Sequence, residues 1–220
     1  MPRRYRFAHE LCLLLLAPAA LVAQRPAEAV RQEREQAARE VPKLAEVLSL
    51  KPGMTVADVG AGGGAMAVSM AKWLGPNGRV YATDLGAAQL AEIREAVARE
   101  DLKNVVVLEG APRSTNLPNE CCDAIFLRDV YHHLTNPQEF DASLLAGVKS
   151  GGRIAIMDFE PEAGSKVPDG VPANREGHGI RASMIVSEFT QAGFRHIRTI
   201  SRWPADTDRG MLFLVLFEKP

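Results

Sequence analysis

Short apolar, β-branched runs alternate with longer amphipathic stretches along most of the chain. Residues 55–59, 79–83, 105–109, 123–127 and 153–158 read as strands. Their apolar character is nearly continuous, most clearly in Val105-Val106-Val107-Leu108, which predicts strands buried on both faces of a parallel sheet. Between them, residues 66–74 lack any helix breaker, residues 87–101 set Leu90, Ile93 and Val97 on one face, and residues 138–149 complete a third helix. Gly75-Pro76-Asn77-Gly78 stops the first of these and turns the chain. Near the C-terminus the order changes. A short helix over 184–192, closed by Gly193, leads to a strand over 194–200, and a polar turn over 206–210 leads straight into a strand over 211–217. Strand-helix alternation followed by two strands with no helix between them predicts an α/β fold whose mostly parallel sheet ends in an antiparallel pair.

The first fifty residues follow a different pattern. Arg3, Arg4 and Arg6 precede residues 11–23, which carry no charge, and Ala17-Pro18-Ala19 supplies an A-x-A site. Basic, apolar and small residues in that order predict a secretory signal over residues 1–23, and Arg3-Arg4 hints at twin-arginine export. The run is short for a membrane span. The expected localisation is therefore exported, periplasmic or membrane-associated, with membrane contact only through this segment; a cytoplasmic location is the alternative. Residues 24–50 form a helical segment. Its first part, 25–40, is an exposed helix with Glu35 and Arg39 at i,i+4 spacing, and Pro42 opens a second helix whose Leu44, Val47 and Leu48 face the core. Residues 51–220 then form a single domain, and 220 residues, 46% of them apolar, suffice for one substantial core.

Charge and cysteine content narrow the function. A formal net charge of −1 leaves no basic footprint for nucleic acid. Cys12 lies in the N-terminal apolar run, while Cys121 and Cys122 are adjacent. Adjacent cysteines suit neither a C-x-x-C metal knuckle nor an ordinary disulfide framework, and read as two small residues entering a strand.

The densest chemistry is Val56-Ala57-Asp58-Val59-Gly60-Ala61-Gly62-Gly63-Gly64-Ala65. A strand carrying an acid dissolves into glycines and restarts as a helix. In such a bend bare backbone can approach a charged cofactor beside a helix N-terminus. Glycine there permits positive φ and puts no Cβ between chain and ligand. Asp84 ends the next strand twenty residues after Gly64, where the ribose of a nucleoside cofactor needs acceptors. Gly60, Gly62 and Ala65 also satisfy the G-x-G-x-x-G/A spacing of a dinucleotide site, so this stretch by itself leaves two cofactors open.

From about residue 41 to residue 220 the chain resembles the class I, seven-stranded S-adenosylmethionine-dependent methyltransferases. The resemblance is carried by residues 56–64, by Asp84, and by Asn116-Leu117-Pro118 followed by Cys122-Asp123-Ala124-Ile125-Phe126. Its most specific part is Leu144-Leu145-Ala146-Gly147-Val148-Lys149-Ser150-Gly151-Gly152-Arg153-Ile154, which leads through two glycines into the fifth strand. Leu127-Arg128-Asp129-Val130 is similar to the quinone-biosynthesis C-methyltransferase branch. The resemblance implies a three-layer Rossmann-like sandwich with a mostly parallel seven-stranded sheet and an antiparallel last strand. It also implies S-adenosyl-L-methionine as cofactor and a small-molecule methyl acceptor. It places Asp58, Gly60, Ala61, Gly62, Gly64, Asp84, Leu85, Gly110 and Ala111 at the cofactor; Arg128 and Asp129, following the fourth strand, are expected to border its sulfonium and amino-acid end. Where the family often has Gly-Asp after the third strand, this chain has Gly110-Ala111. Adenine is then left to backbone groups near 109–111 or to Glu109.

The reacting region of such a sheet lies beyond the carboxyl ends of its strands. Tyr131, His132 and His133 follow the fourth strand there, and Asp158, Phe159 and Glu160 follow the fifth. Tyr131 and His132 are candidates to face the acceptor. His178 is a candidate lid residue within 161–181, a loop with three prolines and four glycines that is long enough to be functional in its own right. No metal site is expected, since the adjacent His132 and His133 are expected to point apart. Two other functions compete. A nicotinamide-dependent oxidoreductase on the same sheet lacks a reason for Gly151-Gly152 and wants a Tyr-x-x-x-Lys pair. An exported, non-catalytic binding module has no need of Gly60, Gly62, Gly64 and Asp84 together.

Overall fold

The computed structural model describes residues 26–204 and 212–220. Helices and strands alternate as α1 (Ala27–Val47), β1 (Thr55–Val59), α2 (Ala65–Leu74), β2 (Arg79–Asp84), α3 (Ala87–Arg99), β3 (Val105–Glu109), β4 (Cys122–Arg128), α4 (Pro137–Gly147), β5 (Val148–Asp158), α5 (Ala182–Gln191), β6 (Arg195–Trp203) and β7 (Leu212–Glu218). The strands form one sheet in the order β3-β2-β1-β4-β5-β7-β6. Only β7 runs against its neighbours, β5 and β6. The signal-like segment, Cys12, the 206–210 turn and Met211 lie outside the described residues. No described helix is long and apolar enough to cross a membrane.

The apolar runs are unbroken because the central strands are covered twice. Along β4, Ala124 and Phe126 join the core under α1, α2 and α3, while Ile125 and Leu127 join the core under α4 and α5. β5 divides the same way, with Ala155 and Met157 on one side and Ile154 and Ile156 on the other. Successive side chains of a strand point to opposite faces, so a three-layer sandwich needs apolar residues at every position of these strands. The outer strand β3 departs from that expectation. It is an edge strand, covered on one face through Val105 and Val107 and leaving Val106 exposed.

Three other expectations are corrected. Pro42 lies inside α1 instead of opening a new helix. Proline removes one i→i−4 hydrogen bond, but Val41, Leu44, Ala45 and Leu48 are buried in the core shared with α2, and that packing carries the helix through. Gly151-Gly152 does not precede β5 but lies within it, as a bulge where pairing jumps from Cys122–Val148 to Ala124–Arg153. A Cβ at Gly152 would stand 2.8 Å from the Lys149 carbonyl and 2.9 Å from that of Asp123, so only glycine lets the bulge close. Cys121 and Cys122 are joined to each other by a disulfide at the start of β4, instead of serving as two free small residues.

Candidate active site

The strand order reverses between β1 and β4, and the carboxyl ends of β1, β2, β4 and β5 open toward the same crevice, where open α/β sheets bind ligands. After β1 the chain bends immediately. The amides of Gly60 and Ala61 both donate to the Thr83 carbonyl, at 2.8 and 2.9 Å, which ties the bend to β2. Gly60 (φ +76°) passes so close to Val130 that a Cβ would meet its methyl at 2.5 Å. Gly62 (φ +54°) has open space where its Cβ would be. The first glycine therefore serves packing, and the second leaves a cradle that a side chain would fill. Gly64, left-handed at φ 78°, starts α2.

Carboxylates surround this bend. Asp84 at the tip of β2 accepts from the amides of Gly62 (2.9 Å) and Leu85 (2.8 Å). Asp58 is buried beneath the bend, and its Oδ2 has no hydrogen-bond partner. Burial, reinforced by the negative charge of Asp84, pushes the Asp58 carboxyl up to about 8. On the β3 side, Leu85 is 55% exposed, an unusual state for a leucine, and lies against the open side of Gly110. The amide of Gly110 donates to the Asp84 carbonyl at 2.9 Å, and Ala111 pairs through its backbone with Ser114.

The crevice has a roof that sequence reasoning missed. Glu40 of α1 is buried, accepts from Arg128 Nε at 3.1 Å on both oxygens, and accepts from Trp203 Nε1 at 2.9 Å. α1, the end of β4 and the end of β6 therefore meet over a pocket of ≈ 120 Å³ whose lining includes Glu40, Asp58, Gly60, Ala61 and Arg128. A signal was present: Glu40 falls on the same face of α1 as Ala37, Val41 and Leu44, and an acid in an apolar stripe calls for a partner. Arg128 thus sits at the pocket with its charge already matched by Glu40. Asp129 follows it with a left-handed φ of 62°, exposed, its amide donating to the Met157 carbonyl at 2.8 Å.

Beyond β4 lies a second cluster. Residues Tyr131–His133 form a 3₁₀ turn, which brings the rings of His132 and His133 to 3.9 Å instead of splaying them as expected. The loop after β5 adds His178, 4.8 Å from the His132 ring, and Phe159 borders both. Asp158 Oδ1 lies 2.8 Å from His132 Nδ1, and Asp158 Oδ2 accepts from the His132 amide at 3.1 Å. A carboxylate there holds the proton on Nδ1 and leaves Nε2 with a lone pair; that nitrogen is buried and without a partner. Burial, then the neighbouring His132 and His178 rings, pull His133 below the ordinary imidazole value. Gly177 and Gly179 explain the placement of His178: a Cβ on either would come within 2.9 Å of the backbone at 160–162.

Tyr131 does not belong to the crevice, which corrects the expectation that it faces an acceptor. It is fully buried against Phe189, and its hydroxyl lies 2.8 Å from both Asp141 Oδ2 and Glu188 Oε2. Arg175 of the 161–181 loop, itself buried, binds Glu188 with both terminal nitrogens, at 2.9 and 3.1 Å, and stands over the Tyr131 ring. A tyrosine so enclosed anchors the loop that carries His178.

Comparison with known proteins agrees with this geometry. A family model described as a methyltransferase domain matches residues 57–156, from β1 through β5. An arsenite methyltransferase of Halobacterium salinarum is 26% identical over 180 residues, covering 74% of this chain and 45% of that protein. The ubiquinone/menaquinone biosynthesis C-methyltransferase UbiE of Cupriavidus metallidurans is 26% identical over 111 residues, 50% of this chain and 45% of its own. The chain thus spans about half the length of these curated relatives. Among solved structures, a SAM-dependent methyltransferase from Aquifex aeolicus superposes with a TM-score of 0.68 and 26% identity, covering 88% of this chain and 98% of its own. The [4+2]-cyclase SpnF superposes as well, TM-score 0.68 at 17% identity over 84% of this chain and 82% of its own, and shares the fold alone. Residues 57–156 match the methyltransferase domain model, and the chain around them carries the seven-stranded fold that the Aquifex aeolicus SAM-dependent methyltransferase also has.

Proposed function

We propose that this protein transfers the methyl group of S-adenosylmethionine to a small-molecule acceptor. One observation carries the reading: within the methyltransferase domain, the Gly60–Gly64 bend is ringed by Asp58, Asp84 and Glu40. A pyrophosphate laid there would face the Asp84 carboxylate at close range, whereas a sulfonium and an ammonium gain from it and favour the ionised form of Asp58. The open cradle at Gly62 and the orphaned Asp58 Oδ2 fit a ligand that brings both a bare edge and a hydrogen-bond donor. Asp84 would take the ribose hydroxyls, Leu85, Gly110 and Ala111 would border the base, and Asp58, Gly60 and Arg128 would line the amino-acid end. The bound cofactor supplies the reactivity, a methyl group on a positively charged sulfur.

The chain supplies position. Holding reactants in line contributes on the order of 7–11 kcal/mol of barrier lowering. His132 and His178 are the groups that would meet the acceptor, because they converge beyond β4 and His132 keeps a free lone pair. A protonated nucleophile could give its proton to that nitrogen, an effect worth roughly 10²–10⁴-fold. The experiment is transfer of isotope-labelled methyl from S-adenosylmethionine into a small-molecule pool. Label is expected in one class of product with the wild-type chain, and His178→Ala is expected to reduce turnover by at least tenfold while cofactor binding persists. Unchanged turnover in His178→Ala would exclude the histidine cluster from acceptor binding.

A further inference from the structure

We propose that His132, His133 and His178 bind a divalent transition-metal ion of the zinc class at the carboxyl end of β4. Each offers one ring nitrogen, and the three nitrogens lie within 4.8 Å of one another. The most buried member carries the argument. His132 is 1% exposed, its Nδ1 lies 2.8 Å from Asp158, and its Nε2 has no hydrogen-bond partner. Leaving a buried polar atom unsatisfied is costly, so a nitrogen locked in that state points to a ligand.

The surroundings of the pair match a metal site's outer shell. A metal-bound histidine almost always donates its second ring N–H to a carboxylate or carbonyl, which fixes tautomer and direction. Asp158 plays that part, and is itself fixed by the amides of His132 (3.1 Å) and Phe159 (2.9 Å). His178 is delivered as deliberately. Its amide donates to Ser165 Oγ at 2.7 Å, and its carbonyl accepts from the Glu162 amide at 3.0 Å. Glycines on both sides let the strap run flush against residues 160–162.

Three neutral imidazoles suit zinc and its neighbours rather than magnesium or calcium, which prefer oxygen. Nitrogens on a tetrahedral zinc, each about 2.0–2.1 Å from the ion, stand roughly 3.3 Å apart. The rings therefore close by about 1.5 Å on binding, a movement that side-chain rotation of exposed His133 and half-buried His178 supplies. A second grouping, Asp129, His132 and Asp158, also brings its ligand atoms within 4.8 Å. It is the poorer site, because His132 and Asp158 already bind each other there. Three protein ligands leave the fourth position of a tetrahedral ion open. With the ion bound, His132 Nε2 is a ligand and no longer a base; on the methyl-transfer reading, the open position would then take the acceptor's oxygen or sulfur, whose proton would pass to solvent instead of to the histidine. The metal site itself stands without that reading.

The test uses the untagged, chelator-treated full chain titrated with Zn²⁺ and, for its visible spectrum, with Co²⁺. One ion per chain and a tetrahedral Co²⁺ spectrum are expected. His133→Ala and His178→Ala should each weaken Zn²⁺ binding at least 100-fold, and Asp158→Asn about 10–100-fold. His196→Ala, on the exposed outer strand β6, should leave it unchanged. His133→Ala is the decisive variant, because an exposed ring can be removed without harm to the fold, and circular dichroism verifies that. Stoichiometric binding that survives His133→Ala and His178→Ala together overturns the proposal, as does a wild-type chain that binds no Zn²⁺. S-adenosylhomocysteine titrated into the same samples separates the two readings: its failure to bind the wild-type chain counts against methyl transfer and leaves the zinc result standing.

Discussion

Single residues set the protonation of the site and of the loop anchor beside it. Asp58 holds its proton up to about pH 8 because it is buried beside Asp84. A cation arriving next to it favours the ionised form, so binding of S-adenosylmethionine near pH 7 should release a proton. Calorimetry in buffers of different ionisation enthalpy measures this directly, and Asp58→Asn should abolish the release. A similar argument applies at Tyr131. One phenolic proton cannot serve two carboxylates, and Glu188 is already matched by Arg175. Asp141, pushed up to about 7 chiefly by burial, therefore carries the second proton. An unfolded aspartate titrates near 3.9, so the folded state binds this proton more tightly. Its contribution to stability is complete below about pH 4 and is lost as pH rises through about 7. The melting temperature should fall over that window, and Asp141→Asn should flatten the fall. A pH profile with the same slope in the variant would contradict the assignment.

At the scale of elements, legibility followed locality. β1 and β3 lie where their apolar runs end, and the glycine bend with its flanking acid was plain from residue order, because both depend on neighbours in sequence. Two misplacements are local, the Cys121–Cys122 disulfide and the turn that brings His132 beside His133; others are long-range. Pro42 stays inside α1 because Val41 and Leu44 find partners on α2, and Val106 is exposed because only one face of β3 is covered. The meeting of Glu40 with Arg128 and Trp203, and of His178 with His132, joins segments that no local pattern links. The 161–181 loop is the clearest case. Its composition marked it as unusual, while its anchor, buried Arg175 on Glu188, is visible only once α5 is in place. Breaking such a buried ion pair costs about 3–5 kcal/mol. Arg175→Met should therefore lower unfolding free energy in denaturant by about that amount, and adding Glu188→Gln should recover part of it, since no charge is then left unpaired. Equal stability of the single variant and wild type would show that the loop is anchored elsewhere.

At the scale of the whole molecule, the sheet order with β7 inserted antiparallel between β5 and β6 brings four strand ends to one crevice. The fold alone does not decide the chemistry, since a [4+2]-cyclase shares it. What decides it is which ligand the carboxylate-ringed bend accepts. Isothermal titration of the full chain with S-adenosylhomocysteine and with NADH asks that question most directly. One S-adenosylhomocysteine per chain is predicted, with no measurable NADH binding. Asp84→Ala should weaken the former about 10–100-fold, as expected for loss of hydrogen bonds to a charged group. NADH binding at the bend, or S-adenosylhomocysteine binding indifferent to Asp84, would contradict the account.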